Sequence, residues 1–91
     1  MNTYYNVFAY QQGYAKRLII ANDKGINTSS DFKFGTLPTE FCPKDSVNKW
    51  VNIRGNTTAL LAIGTNGDVV LNHVSSNISS GTWINVDVMY L

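Results

Sequence analysis

The sequence is poor in the residues on which many function classes depend. It has one cysteine, one histidine and two prolines among 91 residues. Because Cys42 is alone, an internal disulfide is excluded, and the expected role of this thiol is that of a small buried apolar side chain. One histidine and one cysteine also argue against a metal site. We therefore expect no metal ion and no cofactor.

Charged residues are also sparse. Asp, Glu, Lys and Arg make up 14% of the chain, against about 25% in a typical soluble domain. The net charge of +1 is spread without a basic block, and phosphate binding needs clustered Lys and Arg, so we expect no nucleic-acid partner. Asn, Ser and Thr fill the gap, and these short neutral groups suit a surface that meets sugars or another protein.

Long apolar runs and helical periodicity are missing as well. Without a run that could span a bilayer or resemble a signal peptide, we expect no membrane insertion; that the chain is one domain of a longer protein stays open. No window of eleven residues has apolar positions at helical spacing. Short apolar or alternating runs instead lie between turn residues, which is typical of strands. The predicted strands cover residues 4–10, 16–21, 32–34, 47–54, 57–65, 68–74 and 83–91, with a polar loop over 27–31.

This pattern predicts one all-β domain over residues 1–91, a small antiparallel β-barrel or sandwich of six to eight strands. The clearest hairpin signal is Asn66-Gly67 between two apolar runs, which predicts a type I′ turn with positive φ at both residues. The final strand alternates, with Ile84, Val86, Val88 and Tyr90 on one face. A chain this short buries only about 60–65% of its unfolded surface, so oligomerisation is a common source of extra stability.

Two strands place a tryptophan among polar residues. Alternation puts Trp50 on one face with Asn52 and Arg54, and Trp83 on one face with Asn85 and Asp87. An aromatic plane flanked by amide, carboxylate and guanidinium groups matches the apolar face and the hydroxyls of a sugar. The alternative is that each tryptophan packs in the interior or at a subunit contact.

His73 ends the alternation of Val69, Leu71 and His73, and Asp68 and Asn72 are close to it in sequence. It is either a hydrogen-bond donor to a saccharide in a cleft between subunits, or a plain surface or interface residue. A hydrolytic triad would need a nucleophile, but the sequence has no nucleophile elbow. A glycosidase needs two carboxylates across a cleft, and nothing in the pattern requires Asp68 and Asp87 to form such a pair. We therefore expect no enzymatic activity.

Three motifs follow one another in a familiar order: Gly35-Thr36-Leu37-Pro38-Thr39-Glu40-Phe41-Cys42-Pro43, then Asn66-Gly67-Asp68-Val69, then Gly81-Thr82-Trp83-Ile84. In this order the chain resembles the C-terminal head domains of receptor-binding proteins from tailed phages of Gram-positive bacteria, the lactococcal type in particular. Within the first motif, the two prolines favour a stiff extended connection with Leu37 and Phe41 as core anchors.

The resemblance implies a homotrimeric β-barrel head that binds host cell-wall polysaccharide. It implies a place in the virion, at the tail tip or baseplate, after synthesis in the host cytoplasm. Contacts with other baseplate or tail proteins would then run through a missing N-terminal region. From the strand alternation and the hairpin we expect the saccharide in a shallow cleft at or near a subunit boundary, lined by some of Trp50, Arg54, Asp68, His73 and Asp87.

Two other functions stay open from the sequence. One is a purely structural trimeric virion module that caps a fibre without touching the receptor. The other is a single-strand nucleic-acid binder of barrel type, which the thin positive charge disfavours.

Overall fold

The computed structural model describes residues 4–27 and 31–91, so residues 28–30 of the predicted polar loop lie outside the described residues. The described residues form seven strands and one short 3-10 turn at Thr39–Phe41. The all-β prediction with six to eight strands is confirmed. The strands are β1 Val7–Gln12, β2 Ala15–Asn22, β3 Phe32–Thr36, β4 Val47–Arg54, β5 Thr57–Ile63, β6 Asp68–Asn72 and β7 Ile84–Tyr90.

The strands form two antiparallel sheets. A three-stranded sheet has the order β1-β2-β7, and a four-stranded sheet has the order β3-β6-β5-β4. No backbone ladder joins the two sheets in the described part of the chain. Of the two architectures expected from the sequence, the structure is therefore the sandwich rather than a closed barrel.

The core lies between the sheets and is built by alternation. Leu18 and Ile20 of β2 and Leu61 and Ile63 of β5 are fully buried, while their neighbours in sequence face outward. The burial of such side chains contributes about 25 cal/mol per Å² and holds the sandwich together. In β7 the predicted alternation is confirmed, since its inward positions are buried or pack against the core.

The hairpin between β5 and β6 is confirmed, but its turn is not type I′. The Gly67 N–H donates to Gly64 O at 2.9 Å, and the Gly64 N–H donates to Asp68 O at 2.9 Å. Only Gly67 of this loop has a positive φ, at +97°. Asn66 does not need one, because its side-chain oxygen accepts a hydrogen bond from the Asp68 N–H at 3.0 Å and closes a local turn. The loop thus has four residues instead of two.

The two-proline connection packs against this hairpin. The Leu37 N–H donates to Gly67 O at 2.9 Å, and Leu37 is buried in the core while Phe41 packs against it. Both anchors predicted from the sequence are therefore confirmed. Cys42 is a free thiol and is half-buried rather than fully buried, with its sulfur 3.6 Å from Pro38 O.

The edge strands β4 and β7 lie beside each other where the two sheets meet, a line we call the seam. Two side chains of β4 bridge it. Lys49 Nζ donates to Met89 O at 2.7 Å, and Arg54 Nη1 donates to Trp83 O at 3.2 Å. Both cations of β4 are thus directed toward the three-stranded sheet, which leaves the outer side of β4 to neutral side chains.

Candidate functional site

The outer surface of the four-stranded sheet carries most of the residues expected to bind a ligand, and we call it the Trp50 face. Backbone register places Trp50 opposite Leu60, and Leu60 opposite Asn72. The next row contains Ala62 and Val70. Leu60, Ala62 and Val70 are half-buried and form an apolar floor between the rims of the sheet.

Trp50 and His73 form the aromatic part of this face. The Trp50 side chain is 67% exposed, and its ring centroid lies 6.2 Å from that of His73 with the planes tilted by 36°. His73 has a φ of +51°, in the left-handed region that histidine enters more often than most residues. Neither ring has a hydrogen-bond partner among the described residues. Both remain open to a ligand.

Amide side chains surround the two rings. Asn48 and Asn52 are exposed on the same side of β4 as Trp50. Asn48 is two residues before Trp50 and Asn52 is two residues after it. Asn52 Nδ2 donates to Gly55 O at 2.6 Å. Oriented to satisfy its partner, Asn72 donates to the Asp31 carboxylate at 2.9 and 3.1 Å. Next to Trp50 the face therefore presents hydrogen-bonding amides, while the Asp31 carboxylate lies at the opposite edge of the sheet, at the start of β3.

Asp68 lies on the same face but at its far end. The Thr36 hydroxyl donates to Asp68 Oδ1 at 2.8 Å, and Lys33 Nζ lies 3.2 Å from the same oxygen. The Thr36 hydrogen bond, followed by that of Lys33, lowers the pKa of Asp68. Asp68 is four residues before Asn72 in β6, which is about 14 Å along a strand. It can meet only a ligand longer than the Trp50 site itself.

Arg54 is not part of the Trp50 face. The register between β4 and β5 shifts after Asn52, so that Arg54 is opposite Thr57 and Ile53 is an extra residue at a bulge. Because a bulge interrupts alternation, Arg54 no longer shares the side of Trp50 and Asn52. The prediction that it does is wrong, and its guanidinium bridges the seam instead.

Asp87 lies on the opposite side of the molecule from Trp50. It is paired with Ile19 in register on the outer surface of the three-stranded sheet. There Arg17 Nε donates to Asp87 Oδ1 at 2.7 Å, and Arg17 Nη2 donates to the other carboxylate oxygen. The hydrogen bond from Arg17 lowers the pKa of Asp87. Within one chain the structure brings together Trp50 and His73, with Asp68 farther along, but not Asp87.

The interior alternative for the two tryptophans is wrong. Trp50 is 67% exposed, and Trp83, just before β7, is 54% exposed. The other alternative, a contact between subunits, stays a prediction for both.

Sequence reasoning missed the floor and the polar partner of Asn72. Leu60 and Ala62 sit in the continuous apolar run 59–63, and such a run is the signal that both surfaces of β5 are apolar. Asn72 and Asp31 had no comparable signal, because their proximity depends on how β3, β5 and β6 pair.

A concave groove lies elsewhere on the molecule. A groove of about 540 Å³ lies between the start of β4 and the end of β7, lined among others by Lys44, Val47, Lys49 and Tyr90. The Lys49 ammonium and the Tyr90 hydroxyl there already bind backbone carbonyls. The groove lacks an open aromatic plane, so the flatter Trp50 face is the better candidate for sugar binding.

In residues 4–27 and 31–91, no three His, Cys, Asp or Glu side chains are grouped closely enough to hold a metal ion. Within the same residues, no helix has the length and apolar character needed to cross a lipid bilayer.

Comparison of the chain with protein-family models, curated proteins and solved structures found no match.

Proposed function

We propose that this chain is a carbohydrate-binding adhesion domain, the head of a phage receptor-binding protein, which holds host cell-wall saccharide noncovalently on the Trp50 face. The observation that carries the proposal is the exposed Trp50 ring beside His73, flanked in β4 by the exposed amides of Asn48 and Asn52. In this reading the protein acts at the tail tip or baseplate of the virion.

The chemistry of the Trp50 face fits a sugar. The C–H face of a pyranose packs on an indole ring, and the ring hydroxyls pair with amide and imidazole groups around it. An aromatic contact of this kind contributes about 0.5–1.5 kcal/mol beyond its buried area, and each neutral hydrogen bond about 0.5–1.5 kcal/mol. One such site is weak. A homotrimer that engages several sugars at once gains avidity without any new contact.

The placement of the carboxylates supports binding rather than cleavage. Asp68 and Asp87 lie on opposite outer surfaces of the sandwich. They therefore do not flank a common cleft within one chain, as a glycosidase pair must. We therefore propose a binding protein rather than an enzyme.

A structural trimeric virion module without receptor contact is the second candidate. It is favoured by the outer surface of the three-stranded sheet, where Phe8, Tyr10 and Met89 are 46, 39 and 41% exposed. Exposed apolar side chains of this kind are typical of a protein contact. The two candidates differ in whether the opposite Trp50 face binds saccharide.

The test is binding to intact Gram-positive cells and to their purified cell-wall polysaccharide. We expect Trp50→Ala and His73→Ala each to weaken binding at least about tenfold, since a loss of about 1.4 kcal/mol corresponds to that factor. Trp83→Ala is the matched control, because it removes an exposed tryptophan outside the Trp50 face. All variants must keep the β circular dichroism spectrum of the parent. If both site variants bind like the parent, the site is wrong; if the parent binds no cell wall, the structural module is favoured.

A further inference from the structure

Asn66-Gly67 is the only Asn-Gly pair in the sequence. Such a pair is chemically labile, because glycine has no Cβ to hinder attack by its backbone nitrogen on the preceding side-chain amide. In this reaction the Gly67 nitrogen loses its proton and bonds to Asn66 Cγ, the bond from Cγ to Nδ2 breaks, and ammonia leaves. Water then opens the cyclic imide and gives aspartate or isoaspartate at position 66.

The folded loop holds both reacting groups in hydrogen bonds. The Gly67 N–H donates to Gly64 O at 2.9 Å, so the attacking nitrogen is occupied as a donor. Asp68 binds both ends of the Asn66 amide. Asn66 Oδ1 accepts from the Asp68 N–H at 3.0 Å, and Asn66 Nδ2 donates to Asp68 Oδ2 at 3.3 Å. Cyclisation requires the side chain to leave Asp68 and the Gly67 N–H to leave Gly64.

The Gly67 carbonyl is fixed as well. It accepts from the Leu37 N–H at 2.9 Å, and Gly67 is buried so close to Cys42 that an added Cβ would lie 3.0 Å from the sulfur. These contacts anchor the loop to the two-proline connection. Opening the loop therefore costs free energy in the folded protein, and this cost is absent in the unfolded chain.

From these bonds we infer that Asn66 is a deamidation site that the folded loop between β5 and β6 keeps closed, so that the modification proceeds through opening of this hairpin. This chemistry is independent of the proposed saccharide binding. Its product also disfavours reclosure of the loop. A carboxylate at position 66 places an oxygen where Asn66 Nδ2 now donates to Asp68, and the two negative charges repel each other.

The test follows the modification of the full chain under native conditions and in guanidinium chloride, at one pH and temperature. Mass spectrometry of the digested protein measures deamidation at Asn66 over time. We expect deamidation at least about tenfold faster in the unfolded chain, because no loop has to open first. Equal rates in the folded and the unfolded chain, or no reaction in the unfolded chain, would overturn the inference.

Asn56 is the control within the same molecule. It lies exposed in the turn between β4 and β5 and is followed by Thr57. The branched threonine side chain hinders attack by its own backbone nitrogen, so Asn56 should react slowly in both conditions. A rise at Asn56 equal to that at Asn66 would show a general effect of the denaturant and would contradict the inference.

Gly64→Ala tests the closure itself. The φ of Gly64 is not positive, and a Cβ added there would lie 2.8 Å from Asn66 Oδ1, the end of a movable side chain. The variant should displace Asn66 from the Asp68 N–H and speed deamidation of the folded protein at least about threefold, as expected for the loss of one neutral hydrogen bond. Thr65→Ala, at an exposed position of the same loop, should keep the parent rate. A folded Gly64→Ala protein that reacts at the parent rate would contradict the protective role of the side-chain bonds.

A last pair of variants tests the effect of the product. Asn66→Asp has the side chain of one product and should lower the urea midpoint of unfolding, because its carboxylate faces Asp68. Asn56→Asp adds the same charge in the exposed turn between β4 and β5 and should leave the midpoint unchanged. Equal shifts in the two variants would argue against repulsion by Asp68.

Discussion

At the scale of single residues, His73 combines strain with exposure. Its left-handed backbone, at φ +51°, costs an L-residue about 1–2 kcal/mol relative to ordinary conformations. The residue lies at the end of β6 beside Trp50, where its ring adds to an open aromatic surface. A strained non-glycine residue that packs in no core is the kind of position at which binding and stability oppose each other.

We therefore expect His73→Gly to separate binding from stability. Glycine adopts this φ without a steric cost, so the free energy of unfolding should stay level or rise by up to about 1 kcal/mol. Binding of cell-wall saccharide should fall, because the imidazole is lost. Urea unfolding and a cell-binding assay measure the two effects, and a clear loss of stability would show that the His73 ring matters to the fold.

Gly67 is constrained in two ways. Its φ is +97°, and a Cβ added there would lie 2.8 Å from Leu37 O and 3.0 Å from the Cys42 sulfur. We expect Gly67→Ala to lower the free energy of unfolding by more than about 2 kcal/mol, since backbone strain and a clash with backbone add together. Gly13→Ala is the control: its φ is also positive, but its Cβ would meet nothing within 4 Å. Equal losses in urea unfolding would argue against the clash.

The buried hydroxyl of Tyr90 should make the stability of the fold depend on pH in the alkaline range. The hydroxyl donates to Phe41 O at 2.7 Å, and burial, followed by the nearby Cys42, raises its pKa to about 12. The pKa in the folded state thus exceeds that of an ordinary tyrosine, so the contribution to stability is complete below pH 10 and is lost as pH rises toward 12. We expect Tyr90→Phe to unfold with a weaker dependence on pH in this interval than the parent. Identical alkaline profiles for the two proteins would contradict this role.

At the scale of elements, strands were predictable where the signal is local. The predicted strand 47–54 has the same bounds as β4. Val47, Val51 and Ile53 alternate with polar residues, and this local pattern is visible without knowledge of the fold. The four-residue loop at Asn66 and the position of Arg54 were not predictable in this way. The first depends on a side-chain hydrogen bond and the second on a bulge, and neither changes the hydropathy pattern.

The seam between β4 and β7 is held by side chains rather than by a backbone ladder, and this predicts a local weakness. We expect Lys49→Met to lower the free energy of unfolding by about 1 kcal/mol, because it removes a hydrogen bond from a charged donor at the surface. Amide hydrogen exchange should become faster in β4 and β7 and stay unchanged in β1. Lys44→Met, at an exposed position on the same groove, is the control and should change neither quantity.

At the scale of the whole molecule, the two outer surfaces of the sandwich differ in kind. The Trp50 face carries amide and hydroxyl side chains, together with the ionised groups of Lys33, Asp68 and Asp31. The outer surface of the three-stranded sheet is mostly apolar, and its ion pair Arg17–Asp87 is internally satisfied. The sequence alone could not assign Asp87 to this second surface, since that assignment depends on β7 pairing with β2, a strand far away in sequence.

This difference predicts which surface would join the copies of the proposed homotrimer. The outer surface of the three-stranded sheet exposes Phe8, Tyr10 and Met89, and Arg17 also lies over the Tyr10 ring at 5.8 Å. Because the charges there are paired within each chain, copies can meet through this surface without like-charge repulsion. Such a contact would leave the Trp50 face open to the proposed saccharide, away from the subunit boundary at which the sequence led us to expect the site.

We expect light scattering to give three times the monomer mass for the parent, and a lower mass for Phe8→Lys and for Met89→Lys. Lysine at either position places an unpaired charge in the contact, while the exposed location of both side chains should preserve the fold. Trp50→Lys is the matched control, because it makes the same kind of change on the opposite surface and should leave the parent mass. A monomeric parent at micromolar concentration would rule out self-association. Variants on the three-stranded sheet that keep the parent mass would place the contact between copies elsewhere.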